Sequence, residues 1–254
     1  MLKFFFYNFA EEKETEEIIR SIHAMIEGTK QYERMEEIML FVMVPPLSLE
    51  AVLKEFDRKY VKIAAQSFSV KESPPVTGGI SLSRLKAIGT DLVTTGLADA
   101  RHYGLEDNET VADKVGLGLT EGLKVLFCIG EEEEDKKEGR VAAVLEEQIR
   151  TGIRKIPLES FYRCALLYRP FWAFGSEGIR SDPDYSSQIF DLIRKTAEKE
   201  RPEFPEPLPL IYGGILDAEE ARDLLCREVV DGVLVDSSRM ETEQFITFIN
   251  SCYR

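Results

Sequence analysis

Eight short apolar runs, rich in β-branched and aromatic residues, alternate along this chain with longer amphipathic segments. That alternation is the pattern of βα units around a parallel sheet, and it constrains the fold more than any single motif. The runs cover residues 3–7, 38–44, 61–65, 92–95, 125–129, 164–168, 210–212 and 233–235. Helices are predicted over 11–26, 48–59, 81–88, 108–121, 132–153, 182–199, 217–227 and 240–252. Eight strands, each followed by a helix, close a (β/α)8 TIM barrel, so the expected class is α/β and the expected organisation a single domain over residues 1–254.

Local signals agree with this frame. Asp182 and Asp217 stand where helix N-caps belong. The acidic run Glu131-Glu132-Glu133-Glu134-Asp135 reads as a solvated helix start that complements the macrodipole. The proline-rich stretch 202–209 cannot continue a helix and connects into the seventh strand.

Composition narrows the function classes. A formal charge of -14 argues against sequence-independent binding to nucleic acid or to an anionic membrane, both of which need clustered Lys and Arg. The N-terminus has only a brief apolar run before Glu11-Glu12-Lys13-Glu14, so no signal peptide is expected. No apolar stretch approaches the roughly 20 residues that span a bilayer, and a cytoplasmic protein is the reading. Cys128, Cys164, Cys226 and Cys252 are widely separated without metal-ligand spacing and read as reduced thiols. Neither His23 nor His102 has a partner at ligand spacing, and nothing in the chain calls for a metal or a cofactor.

Several motifs fall in a recognisable order. Phe127-Cys128-Ile129-Gly130-Glu131 ends the fifth strand, Tyr168-Arg169-Pro170-Phe171-Trp172-Ala173-Phe174-Gly175 the sixth, Tyr212-Gly213-Gly214 the seventh, and Asp231-Gly232-Val233-Leu234-Val235 forms the eighth. Together they resemble the triosephosphate isomerase family nearly end to end. The resemblance implies an aldose-ketose isomerase scaffold whose active site lies at the C-terminal ends of the strands, with a lysine after strand one, a histidine after strand four and a glutamate base after strand six.

This chain departs from that pattern at each of the three. Tyr7-Asn8-Phe9-Ala10 keeps the asparagine and places Ala10 at the lysine position; Leu97 stands at the histidine position and Arg169 at the glutamate position. His102 matches only a later histidine of the strand-four segment. An enediolate reaction needs a carboxylate base, a donor to polarise the carbonyl and a cation to stabilise the oxyanion. Arginine cannot be the base, because its guanidinium stays protonated.

The family's phosphate grip is altered too. Gly175, Gly213 and Gly214 are kept, Ile215 replaces a serine, and Asp236-Ser237 replaces a glycine pair. Asp236 is expected as a cap on the last helix, which would repel a dianionic phosphate. The ligand-binding candidates are therefore Asn8, Arg169, Gly175, Gly213, Gly214, Asp236 and Ser237. Arg169 needs a carboxylate partner in the barrel mouth, with Asp236 the first choice and Glu131 the second.

The resemblance also implies a homodimer built by the loop from Ser73 to Ser81. Gly79 and Ala100 stand where the family has an ion pair, so both halves are missing together. Three functions follow. The first is a catalytically inactive homologue that binds or regulates. The second is a sugar-phosphate or related isomerase or lyase of changed specificity using Arg169, Asp99, Glu131 or Asp236. The third is residual triose-phosphate isomerase activity.

Overall fold

The computed structural model describes residues 2–30, 33, 36–70, 77–173, 183–214, 217–226, 228 and 230–252. Its eight parallel strands are β1 (Lys3–Asn8), β2 (Ile38–Val44), β3 (Lys62–Ala65), β4 (Leu92–Thr95), β5 (Lys124–Ile129), β6 (Cys164–Tyr168), β7 (Leu210–Tyr212) and β8 (Gly232–Asp236). They close in sequence order, with β8 paired to β1. The expected barrel is present, and strand positions agree to within a residue.

Side-chain alternation divides each strand between two cores. One cluster draws Phe6, Phe41, Met43, Ala64, Leu92, Leu126, Cys128, Leu167, Ile211 and Leu234 from all eight strands and fills the barrel interior. Phe6 and Phe41 stack there, with ring centroids 4.5 Å apart. The alternate residues, such as Phe5, Tyr7, Val125, Phe127 and Val233, face outward into a second cluster under the helices. Burying each such large side chain contributes about 1.5–3 kcal/mol, and a strand residue moved by one position would exchange one core for the other.

The helices are α1 (Thr15–Gly28), α2 (Pro46–Glu55), α3 (Leu82–Ile88), α4 (Ala98–His102), α5 (Asn108–Thr120), α6 (Glu133–Lys137), α7 (Val141–Ile153), α8 (Pro183–Glu200), α9 (Ala218–Cys226) and α10 (Thr242–Ser251). α1 shows the helical period directly, burying Ile18, Ile22 and Met25. It begins four residues later than expected, because the Lys13 N–H closes a turn onto the Ala10 carbonyl at 3.2 Å and holds Glu11 to Lys13 in the loop. α2 starts earlier, with Pro46 in its first turn, where a missing N–H costs nothing.

The single helix expected over 132–153 is two helices. Gly139 adopts φ +68° between them, and the Asp135 carboxylate accepts from Arg140 Nη2 at 2.8 Å across the break. α4 lies in the segment after β4, where no helix was predicted. Asp217 does cap α9, its Oδ1 accepting from the Glu220 N–H at 2.9 Å; Asp182 lies outside the described residues.

Candidate functional site at the C-terminal mouth of the barrel

Asn8 and Asp236 end β1 and β8 and are register partners, so their side chains emerge side by side. Arg169 extends β6 by one residue, its N–H donating to the Ile129 carbonyl at 2.9 Å. It stands two residues after Leu167 of the interior cluster and therefore points inward. These three side chains meet over the barrel core. Arg169 Nη2 donates to Asp236 Oδ2 at 2.8 Å, and Asn8 Nδ2 donates to Asp236 Oδ1 at 2.7 Å. Gln66, just beyond β3, extends the chain: its Nε2 donates to Asn8 Oδ1 at 2.9 Å and to the Phe9 carbonyl at 2.7 Å. A guanidinium only 2% exposed thus sits on a carboxylate whose second oxygen is also bonded.

Gly213 makes room for this arrangement. A Cβ there would lie 3.3 Å from both Cβ and Cδ of Arg169 and 2.9 Å from Leu167 Cδ1. At Gly214 a Cβ would come within 2.0 Å of the Tyr212 hydroxyl. Both glycines are thus required by neighbouring side chains of this chain. Gly175 and Ile215 lie outside the described residues.

Asp236 is not the helix cap expected of it. α10 starts at Thr242, six residues on, and carries its own capping box from Glu241 and Gln244. The carboxylate of Asp236 is left to bond sideways across the strand ends. Ser237 is 3% exposed and closes the barrel seam: its Oγ accepts from the Ala10 N–H at 2.9 Å, and its N–H donates to the Asn8 carbonyl at 2.8 Å. Leu97 packs against the interior cluster just ahead of α4.

Glu131, the second choice as partner for Arg169, lies elsewhere. It is 1% exposed, and its Oε1 accepts from Tyr168 Oη at 3.0 Å, Trp172 Nε1 at 2.9 Å and Tyr185 Oη at 3.1 Å. Lys136 Nζ stands 3.8 Å from the Trp172 ring centre and 4.4 Å from that of Tyr185. Desolvation holds the Glu131 carboxyl above its ordinary range despite those three donors. Glu131 therefore ties the segment after β6 to α8.

Above the Arg169–Asp236 pair is a cavity of about 630 Å³, lined by Asn8, Ala10, Gln66, Leu97, Asp99, Glu106, Lys114, Arg169 and Asp236 among others. Glu11 and Glu12 also reach it. Among the described residues its two cations are both engaged by carboxylates, Arg169 by Asp236 and Lys114 by Glu106. Asp99 presents a buried Oδ1 with no hydrogen bond.

Sequence reasoning missed Gln66 as a site residue, and it missed the Glu106–Lys114 pair. Glu106 Oε2 also accepts the Gly96 N–H at 2.6 Å, which fixes the turn that carries Leu97. One signal was legible: Lys114 falls among Val111, Ala112 and Val115 on the buried side of α5, where a lysine requires a partner.

The remaining histidines and thiols take no part. His102 Nδ1 faces Glu132 at 3.1 Å and stacks on Phe171 at 3.8 Å; His23 faces Glu55. Burial pushes the Cys128 thiol up to about 12, so it stays protonated. Among the described residues no group of three His, Cys, Asp or Glu side chains could hold a metal ion, and no helix is long and apolar enough to cross a membrane. Of the loop from Ser73 to Ser81, residues 73–76 lie outside the described residues; its return is pinned by the Ser69 N–H on the Ile80 carbonyl at 2.8 Å.

Comparison with known proteins covers the whole barrel. A family model described as triosephosphate isomerase matches residues 3–252. Among relatives, the triosephosphate isomerase of Coprinopsis cinerea is 32% identical over 83% of each chain. That of Lawsonia intracellularis is 30% identical over 94% of this chain and 92% of its own, and that of Cytophaga hutchinsonii is 31% identical over 85% of each.

Proposed function

Given that the chain belongs to the triosephosphate isomerase family, we propose that it is a catalytically silent member that works by binding rather than by turnover. The observation that carries this reading is the Arg169–Asp236 pair, which holds a cation at the family's base position and spends it on a carboxylate of the same chain. Proton abstraction from carbon needs an unprotonated base, and a guanidinium has no lone pair to offer. Ala10 and Leu97 supply neither the cation nor the hydrogen-bond donor that the other two steps require. Each missing group typically costs about 10²–10⁴-fold, without simple multiplication.

Phosphate binding is opposed by the same site. The cavity holds Glu11, Glu12, Asp99, Glu106 and Asp236, and both cations among its described lining residues are already paired. A dianion would have to displace a carboxylate from a desolvated guanidinium. The test is a coupled isomerase assay on triose phosphates beside a thermal-shift titration with phosphoglycolate. Turnover at the ordinary enzymatic scale of roughly 1–10³ per second would sink the proposal, as would clear stabilisation by phosphoglycolate.

A second reading, an isomerase or lyase of changed specificity, draws on one observation. Asp99 turns an unbonded carboxylate oxygen into buried space beside an open cavity, the environment in which a carboxyl can act as a general base. An Asp99→Asn substitution that abolished a newly found turnover would favour it over silence.

The proposal includes a homodimer in the cytoplasm, formed through the Ser73 to Ser81 loop. Three large apolar side chains near the mouth support a partner surface: Leu47 is 92% exposed, Tyr103 72% and Leu105 74%. Tyr103, Leu105 and Pro46 line the same cavity, which puts this apolar rim beside the loop after β1.

A further inference from the structure

We infer that the opposite, N-terminal mouth of the barrel is a binding site for a small aromatic carboxylate, independent of the site described above. A cavity of about 220 Å³ opens there under the interior core. Its floor is aromatic and apolar: Phe4, Phe6, Met39 and Phe41 contribute, and the Phe6–Phe41 stack forms one wall. Strand parity explains the space. Ala165 stands two residues before Leu167 and faces the interior, so β6 offers a methyl group where β1 and β2 offer Phe4 and Met39.

The size of the void selects the ligand. A dry cavity of about 150 Å³ already accepts benzene, so this one takes a single ring with a short polar arm and excludes larger cofactors. Charge selects the arm. Lys124 begins β5 two residues before Leu126 of the interior cluster, and Arg163 precedes β6; both line the opening. Among the described residues no Asp or Glu lines it, in a chain with 46 acidic and 32 basic residues. Among the described residues neither cation forms an ion pair, and the Arg163 guanidinium lies only over the Tyr162 ring, at 5.1 Å. An apolar hole under two uncompensated cations favours a ring that enters first, leaving its carboxylate at the rim.

The test compares three probes of one shape: 3-phenylpropionate, 3-phenylpropan-1-ol and 3-phenylpropylamine. Each is titrated at millimolar concentration into the intact protein and followed by calorimetry and thermal shift. The carboxylate should bind, the alcohol about tenfold more weakly, and the amine not measurably. Ala165→Leu fills the cavity and should abolish binding. Because that change could unfold the barrel, the rim variant Lys124→Gln/Arg163→Gln is the second measurement, and it should reduce the carboxylate to the affinity of the alcohol. Equal binding of the amine, no binding of the carboxylate, or an unchanged affinity in the rim variant would each overturn the assignment. Phosphoglycolate serves as a control for the other mouth, since its behaviour does not depend on Ala165, Lys124 or Arg163.

Discussion

Arg169 and Asp236 stand 67 residues apart in the chain and 2.8 Å apart in the barrel, and Asn8 holds the carboxylate from its other side. Removing one partner alone leaves a buried charge. Asp236→Asn and Arg169→Met should therefore each cost about 3–5 kcal/mol in urea denaturation, whereas the double variant Arg169→Met/Asp236→Asn should recover most of that loss. A double variant as unstable as the two single changes summed would show that the pair is not coupled.

The same geometry sets the outcome of putting the family's base back. Arg169→Glu places a second carboxylate against Asp236 in a nearly dry site, so one of the two must take up a proton. The variant should melt well below the wild type and show no isomerase turnover. Adding Asp236→Asn should restore the melting temperature without restoring activity, because Ala10 and Leu97 remain. Turnover from Arg169→Glu alone would contradict the proposed function.

Glu131 predicts a pH dependence of stability. Its carboxyl titrates above the ordinary value of 4.5 in the folded state, chiefly through desolvation. Between 4.5 and that raised value the native chain binds more protons than the unfolded chain, so this contribution is full below pH 4.5 and is lost as pH rises through the folded value. In Glu131→Gln the Oε1 acceptor remains and the titration disappears. Unfolding free energy from urea denaturation plotted against pH should fall less steeply in the variant over that window, by at most about 1.4 kcal/mol per pH unit. Parallel curves would refute the assignment.

Light scattering decides the proposed dimer. The expected particle has twice the 28.9 kDa of one chain. Leu105→Glu, which introduces charge into the exposed apolar rim without touching the core, should shift it toward monomer. A wild-type monomer at micromolar concentration would remove the dimer from the proposal, and an unshifted Leu105→Glu dimer would move the interface away from this rim.

The barrel itself was legible in the amino-acid sequence. Alternation with a period of two marks Phe4 and Phe6 for the interior and Phe5 and Tyr7 for the helices, and eight such runs separated by helical ones admit few closed topologies. Absence was equally legible: Ala10 and Leu97 have no chemistry to contribute in any arrangement, and the need of Arg169 for a carboxylate follows from burial at a strand end. The linear chain also ranked Asp236 ahead of Glu131 as the answer to that need, and the pair formed is that one; what it did not show was the physical reason. Asp236 reads as a helix cap until α10 is seen to begin at Thr242, and Glu131 reads as part of a solvated acidic run until Tyr168, Trp172 and Tyr185 converge on it. Gln66, Glu106 and Lys114 gain their places only when β3, β4 and α5 come together around one cavity. Periodicity is a local property of the backbone and survives in the sequence, whereas a hydrogen bond between strand ends depends on barrel closure and register, which arise only when all eight strands are in place.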